Sequence, residues 1–370
     1  MVLEILFITF CLSSFVAILL NILSLFKLSK YKSKEHILDI EDKPVSIVVC
    51  AHNEIENLKV LLPKLLAQAY VDFEVIIVDD RSTDGSYEYL LEEQSKHANM
   101  KMVRVEWTPE HVNEKKYALT LGIKGAKNDL LVFTDADCEP ISYNWLKKMV
   151  SQFNGKTDFV LGFSYYREHP GFLNKFIRYE TLQTALLYVT MALLGIPYMG
   201  VGRNIGYKRS FFLSRKGFNK ILKVTGGDDD LFVNRYSTSK NTTVVLDPES
   251  VILSEPKKKL GEFITQKIRH ISVSKLYKFK HKFLIGLISI SKILFWITGL
   301  SLIILTYNIY WTASLFSIQL LLLLWVYDRF TKILKVKYEI WSLWFMDFVY
   351  ISYLILFSLR AFTARKVRWN

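Results

Sequence analysis

Two carboxylates one residue apart, Asp135 and Asp137, close the apolar run Leu130-Leu-Val-Phe133-Thr. A polar turn after a strand would explain them without chemistry, because Asp favours turns. The chemical alternative is a divalent cation. Mg²⁺ and Mn²⁺ prefer oxygen ligands, and one or two carboxylates plus phosphate oxygens suffice to hold them. A cation bridging two phosphate oxygens neutralises charge that develops on a departing diphosphate. A second acidic cluster, Asp228-Asp229-Asp230, crowds like charges just before Leu231-Phe232-Val233. Acids are favourable at a helix N-terminus, and a carboxylate there could also accept a proton. Both readings hold together.

These side chains need elements to position them. Val45–Val49, Phe73–Val78, Met102–Trp107 and Leu130–Phe133 read as short strands. Between them Glu56–Gln68, Ser86–Ser95 and Lys116–Ala126 carry helical spacing, with Pro63 expected to kink or shorten the first helix. Such alternation predicts a mostly parallel sheet covered by helices, and ligands bind beyond the carboxyl ends of its strands. Ala51–Glu54, Asp79–Asp80 and Asp135–Asp137 all fall at such ends, so three polar clusters converge on one edge.

Composition sets the wider frame. Of 370 residues 51% are hydrophobic, and mean hydropathy is +0.20, which calls for membrane spans. Residues 2–26 are long and apolar enough to cross a bilayer. Cations follow this run (Lys27, Lys30, Lys32, Lys34) and do not precede it. That order predicts a permanent anchor over residues 1–27, with the chain cytoplasmic thereafter. Three further apolar runs, Phe283–Leu305, Ile309–Tyr327 and Ile340–Leu359, make a C-terminal membrane or interfacial region over 283–360. Leu182–Ile196 is too short to cross comfortably, and reads equally as a core helix or a membrane-surface helix. Four crossings would leave Arg360, Arg365, Lys366 and Arg368 outside, against the positive-inside rule, unless the last run is re-entrant or interfacial. The net charge of +13 resides largely in residues flanking these runs, and no RNA-binding aromatic motif occurs, so no nucleic acid is expected. Cys11, Cys50 and Cys138 show neither metal spacing nor obvious pairing. There is no P-loop. Gly200-x-Gly202-x-x-x-Gly206 has the wrong spacing and place for a dinucleotide fingerprint.

Six segments remain: VSIVVCAHNE (45–54), VIIVDDRSTDG (75–85), EKKYAL (114–119), VFTDAD (132–137), GGDDDLF (226–232) and QKIRH (266–270). In that order, over residues 44–275, they resemble the membrane-bound family 2 glycosyltransferases of bacterial cell envelopes. The resemblance implies an α/β domain of the GT-A nucleotide-sugar-binding type with transmembrane helices at both ends. It places Ala51, Asn53 and Glu54 in the nucleoside pocket, and one carboxylate of Asp79 and Asp80 on the base. Lys115 matches the lysine of the Gly-Lys-x-x-Ala-Leu pattern, whose glycine is Glu114 here. Asp135 and Asp137 match the Asp-x-Asp that holds metal and diphosphate. Gly227-Asp228-Asp229 matches Gly-Glu-Asp, making Asp229 the expected base with Asp228 close behind. Gln266, Arg269 and His270 match the Gln-x-x-Arg-Trp of processive synthases, with histidine in place of tryptophan, and share one helix face. Arg203-Asn204 matches a region on the acceptor side.

The resemblance implies a divalent metal, a UDP-linked sugar donor, a lipid-linked or growing glycan acceptor, and a multi-pass inner (plasma) membrane enzyme with its catalytic domain cytoplasmic. Attack opposite the diphosphate would invert configuration. A processive polysaccharide synthase is the alternative within the family, and a catalytically silent membrane scaffold lies outside it.

Overall fold

The computed structural model describes residues 1–31 and 43–363. Lys32, Lys34, Arg365, Lys366 and Arg368 lie outside the described residues. A long helix, α1 (Val2–Lys30), leads into β1 (Val45–Ala51), α2 (Ile55–Leu66), β2 (Phe73–Asp80), α3 (Ser86–Lys96), β3 (Met100–Val105), α4 (Glu114–Gly125) and β4 (Leu130–Phe133). The strands lie in the order β3-β2-β1-β4, all parallel. Side chains alternate across β1. Val45, Ile47, Val49 and Ala51 share one apolar layer with Leu58, Leu61, Leu62 and Leu65 of α2, and Val48 shares the other with Ala118, Leu119 and Ile123 of α4. α4 packs closely on the sheet through Gly122, where a Cβ would stand 2.7 Å from Val78 Cγ2.

The second half is mixed. It comprises β5 (Cys138–Pro140), α5 (Trp145–Val150), β6 (Phe159–Leu161), β7 (Ser164–Tyr166), α6 (Phe172–Leu193), β8 (Ile205–Lys208), α7 (Arg209–Ser214), α8 (Asp230–Tyr236), β9 (Thr242–Val244) and β10 (Ile252–Ser254). β8 joins β4 antiparallel, and β6 and β9 extend the sheet to seven strands. β5, β10 and β7 form a small second sheet. Helices α9 (Leu260–Ser274), α10 (Phe279–Ile304), α11 (Ile309–Leu334) and α12 (Leu343–Thr363) close the described chain. α1, α10, α11 and residues 340–357 are long and apolar enough to cross a membrane.

Several boundaries differ from those expected. β3 begins at Met100 rather than Met102, because it follows the register of β2, with Val75 opposite Met100. α2 ends at Leu66, and the exposed Pro63 sits inside its last turn without breaking it earlier. α4 begins at Glu114 rather than Lys116, because the Asn113 side chain accepts from Lys116 N and caps it there. Most of Leu182–Ile196 is the second half of α6, a core helix and not a membrane-surface one. Leu182, Ala185, Leu186, Tyr188, Val189 and Met191 are all buried, and Tyr188 Oη donates to Gly162 O at 2.7 Å.

Candidate active site

The parallel strands deliver their polar ends to one edge. Ala51 closes β1 opposite Asp79 of β2. The turn after β1 passes through Asn53 at φ +56°, a left-handed conformation that Asn tolerates. Asn53 N–H donates to Ser82 Oγ at 3.0 Å, and its Oδ1 accepts from Thr83 N at 2.8 Å. Glu54 N donates to Ser86 Oγ and Ile55 N to Asp84 Oδ2. The β1–α2 and β2–α3 loops are thus laced together. Asn53 is committed to this lacing through its amide oxygen.

At the end of β2, Asp79 and Asp80 are buried. Asp80 Oδ1 accepts from Arg81 Nε at 2.8 Å. Both oxygens of Asp79 and Oδ2 of Asp80 are buried without a partner among the described residues. A buried carboxylate oxygen without a donor is costly. Donors from a bound ligand would remove that cost.

Beyond β4, Asp135, Asp137 and Cys138 hold their ligand atoms within 4.8 Å of one another. Burial, then the charge of Asp135, pushes the Asp137 carboxyl above its usual range. Cys138 is buried, and burial, then the charge of Asp137, holds its thiol well above the usual range. Asp135 and Asp137 offer a cation a pair of carboxylates, a donor set that fits a hard, oxygen-preferring ion. Glu54 belongs to the same neighbourhood. Burial raises its carboxyl, and Asp137 and Asp135 add to the effect.

Lys115, in the first turn of α4, ties the two acidic clusters together. Its Nζ lies 2.9 Å from Asp135 Oδ1 and 3.6 Å from Asp228 Oδ2. Burial alone would lower it, but Asp135 and Asp228 outweigh burial and keep it a cation. The next residue, Lys116, is fully buried and donates to the carbonyls of Val224 and Gly226. It thereby fixes the loop whose Gly226 and Gly227, both at φ +78°, turn the chain into the acidic run.

The three acids of that run do different things. Burial would raise Asp228, but Lys115 and Lys116 hold it below its usual range. Asp229 caps α8, with Oδ1 accepting from Asp230 N at 2.7 Å and Oδ2 from Gly202 N at 2.5 Å. Burial, then the charge of Asp228, pushes Asp229 up to about 6. Asp230 is turned away into the protein and accepts from Tyr277 Oη at 2.8 Å.

α9 supplies the opposite wall. His270 is exposed at the C-terminal half of α9, with basic neighbours around it. Burial, then Lys267, Arg269, Arg203 and Lys115, holds its imidazole well below the usual range, hence neutral. Arg269 also acts electrostatically on Asp228. Gln266 lies one turn earlier and makes no polar contact with this cluster among the described residues. Arg203 lies over the Tyr166 ring at 4.5 Å, close enough to Asp137 and Asp135 to feel their charge, and its Nη1 is buried without a partner among the described residues. Asn204 is a framework residue. It bonds the carbonyls of Phe163 and Ser250 and accepts from Trp145 Nε1.

The structure therefore gathers Glu54, Lys115, Asp135, Asp137, Arg203, Asp228, Arg269 and His270 into one neighbourhood, with Asp79 and Asp80 nearby at the end of β2. Lys116 was not singled out from sequence. Its signal was its spacing, since residues 116, 119 and 123 share one helix face with the buried Leu119 and Ile123.

Comparison with known proteins gives the same direction. Residues 46–213 match the family described as Glycosyl transferase family 2. Among solved structures, the mannosyltransferase PcManGT from Pyrobaculum calidifontis, in complex with GDP-Man and Mn²⁺, is 17% identical over 97% of this chain and 99% of that one, with a TM-score of 0.62. That likeness shows the fold. S. aureus TarS 1–349 in complex with UDP-GlcNAc is 16% identical over 84% of this chain and 90% of that one, and its TM-score of 0.44 is too low to carry an argument. No curated protein matches the chain in sequence. The paired acids at the strand ends, the α/β sheet that presents them and the matched segment lead to one assignment: this chain carries a glycosyl transferase family 2 domain of GT-A fold.

Proposed function

We propose that the protein is a membrane-bound, inverting, metal-dependent glycosyltransferase. It moves a sugar from a nucleoside diphosphate sugar, UDP-linked in our reading, to a lipid-borne or growing glycan at the cytoplasmic face of the plasma membrane. The observation that carries this reading is the chain Asp137–Asp135–Lys115–Asp228–Asp229, which runs from a paired set of carboxylates to a carboxylate of raised proton affinity. The Mn²⁺ and GDP-Man bound by the structural relative, and the four apolar helices, agree with it.

Each residue has a role in this scheme. Asp79, with both oxygens free, accepts the N–H of the base, which suits uracil and equally guanine. Asp135 and Asp137 would hold the divalent ion. That ion, when bound, draws negative charge from the diphosphate. Lys115 shares Asp135 and keeps positive charge beside the leaving group. The acceptor hydroxyl attacks the anomeric carbon on the face opposite the diphosphate. A new carbon–oxygen bond forms as the bond to the diphosphate breaks, and configuration inverts. The hydroxyl proton passes to the Asp228–Asp229 pair. Asp229 takes it, because its affinity lies near neutral pH where a general base is most effective.

The test is purified enzyme with a panel of UDP- and GDP-sugars, with and without EDTA. Transfer or slow hydrolysis of one nucleotide sugar, lost on chelation and restored by Mg²⁺ or Mn²⁺, is expected. Absence of binding and turnover across the panel would sink the proposal, and activity indifferent to EDTA would remove the metal from it.

A further inference from the structure

The four apolar helices do not stand in the same relation to the catalytic domain. α1, α10 and α11 touch it near one end each, through Ser24–Thr190, His281–Asn234 and the stacked Tyr327–Tyr179 pair, and Phe10, Phe295, Trp296 and Leu302 form a separate apolar cluster that also takes in Ile351 of α12. α12 stays against the domain. Phe345 meets Phe172 at 6.3 Å between ring centroids. Tyr350 meets Tyr179 at 5.7 Å, and Tyr353 meets Phe176 at 5.7 Å and Phe263 at 6.3 Å. Phe357 is buried in the same cluster as Phe263. From Phe345 to Phe357 the helix advances about 18 Å, and along that length its inner face meets α6 and then α9. A helix crossing a hydrocarbon core of about 30 Å would leave the domain after its first turns.

The polar contacts agree. Asp347 accepts from Trp296 Nε1 of α10 at 2.8 Å and from Tyr179 Oη of α6, and pairs with Lys292. Tyr353 Oη reaches Glu180 at 3.5 Å, and Glu180 is in turn paired with Lys267 of α9. α12 is therefore wedged between α10 and the helices α6 and α9 of the catalytic domain. Its outward side chains at the start are aromatic. Trp341 is 83% and Trp344 53% exposed, and Trp is enriched where membrane meets water.

We propose that α12 lies along the headgroup layer of the bilayer instead of crossing it, so that the chain crosses three times and its C-terminus shares a side with the catalytic domain. The inference rests on the membrane reading of the proposed function. Charge complementarity supports it. Lys27 and Lys30 end α1, Lys278, Lys280 and Lys282 open α10, and Lys332, Lys335 and Lys337 flank the end of α11. The opposite ends of α10 and α11 meet in Leu305-Thr-Tyr-Asn308, which carries no charge. With three crossings the basic residues that follow α12 in the sequence join all these cations on one side. A fourth crossing would strand them alone on the other, against the positive-inside rule. There is a consequence for the acceptor. α9 meets α12 through Phe263 and presents Arg269 and His270 to the site, so only one helix separates the headgroup layer from the site.

The experiment uses the full chain with a site-specific protease sequence placed at one of three positions: after Asn370, between Tyr307 and Asn308, or after the exposed Gly155. Protease is added to sealed right-side-out and inside-out vesicles. The expected result is loss of intact chain from the same vesicle orientation for the Gly155 and Asn370 sites, and from the opposite orientation for the 307–308 site. Cleavage after Asn370 in the same orientation as 307–308, opposite to Gly155, overturns the surface placement of α12. Cleavage at Gly155 and Asn370 only from outside keeps α12 at the surface and refutes the cytoplasmic assignment instead. Release of the whole chain by alkaline carbonate refutes the membrane reading on which both depend. The C-terminal extension leaves every folded element untouched, so that arm does not depend on how the other insertions fold.

Discussion

Asp137 has burial and a like charge against it, which Arg203 and Lys115 offset only in part. Asp137→Ala should therefore leave the fold standing and reduce metal-dependent turnover by about 10²-fold or more; turnover at the wild-type rate with Mn²⁺ would rule out its role. The proton acceptor can be separated within its pair. Asp229→Asn should lower kcat by about 10²–10⁴-fold with nucleotide affinity, measured by calorimetry, nearly unchanged. Asp228→Asn should be milder, and the reverse ranking would move the base by one residue. The pH profile has a definite sign. Asp229 is raised to about 6, so kcat/KM should fall as pH drops below about 6 and the carboxylate is protonated. The charge of Asp228 is one cause of that elevation, so in Asp228→Asn the break should move to lower pH. A break that stays put would show that the profile reports another group.

At the scale of elements, α4 is the joint of the site. Its N-terminus, capped by Asn113, sends Lys115 to the carboxylates and Lys116 to the carbonyls of the loop before Asp228. Lys116→Met keeps much of the buried stem but leaves two carbonyls unpaired, at a cost of about 1–3 kcal/mol each. The melting temperature should fall. Turnover should fall more than donor affinity, because Lys115 and Asp135 are untouched, and Lys116→Arg should recover part of both. An unchanged kcat in Lys116→Met would mean that the loop holds itself.

At the scale of the molecule, the catalytic domain and the membrane helices are joined through α6 and α9. Lys267 of α9 and Glu180 of α6 are a buried pair that ties those two helices together. Removing one partner of such a pair typically costs about 3–5 kcal/mol. Lys267→Met should destabilise the detergent-solubilised protein by that order and Glu180→Gln by less, measured as the shift of the unfolding midpoint. A neutral Lys267→Met would show that the joint is held by its aromatic contacts alone.

Much was fixed by local order in the chain. Periodicity of two in Val45–Val49 and of three to four in Leu58–Leu65 is enough to specify strands and helices. Their alternation specifies a parallel sheet, and a parallel sheet puts Ala51, Asp79 and Asp135 at one edge. The apolar runs were legible for the same reason, since length and composition decide whether a helix can span. Local order could not say which residues meet across the fold. That Leu182–Ile196 is core depends on what packs on it. That Lys116 clamps residues 224 and 226, that Arg203 leans toward Asp137 while Asn204 serves the framework, and that Asp230 turns away to Tyr277 are outcomes of long-range packing. Neighbouring residues on a helix or turn point in different directions, and only the partners brought there by the rest of the chain decide which direction carries chemistry. The same holds for α12. Its composition suits a span, and its place against α6 and α9 comes from tertiary contacts that hydropathy does not encode.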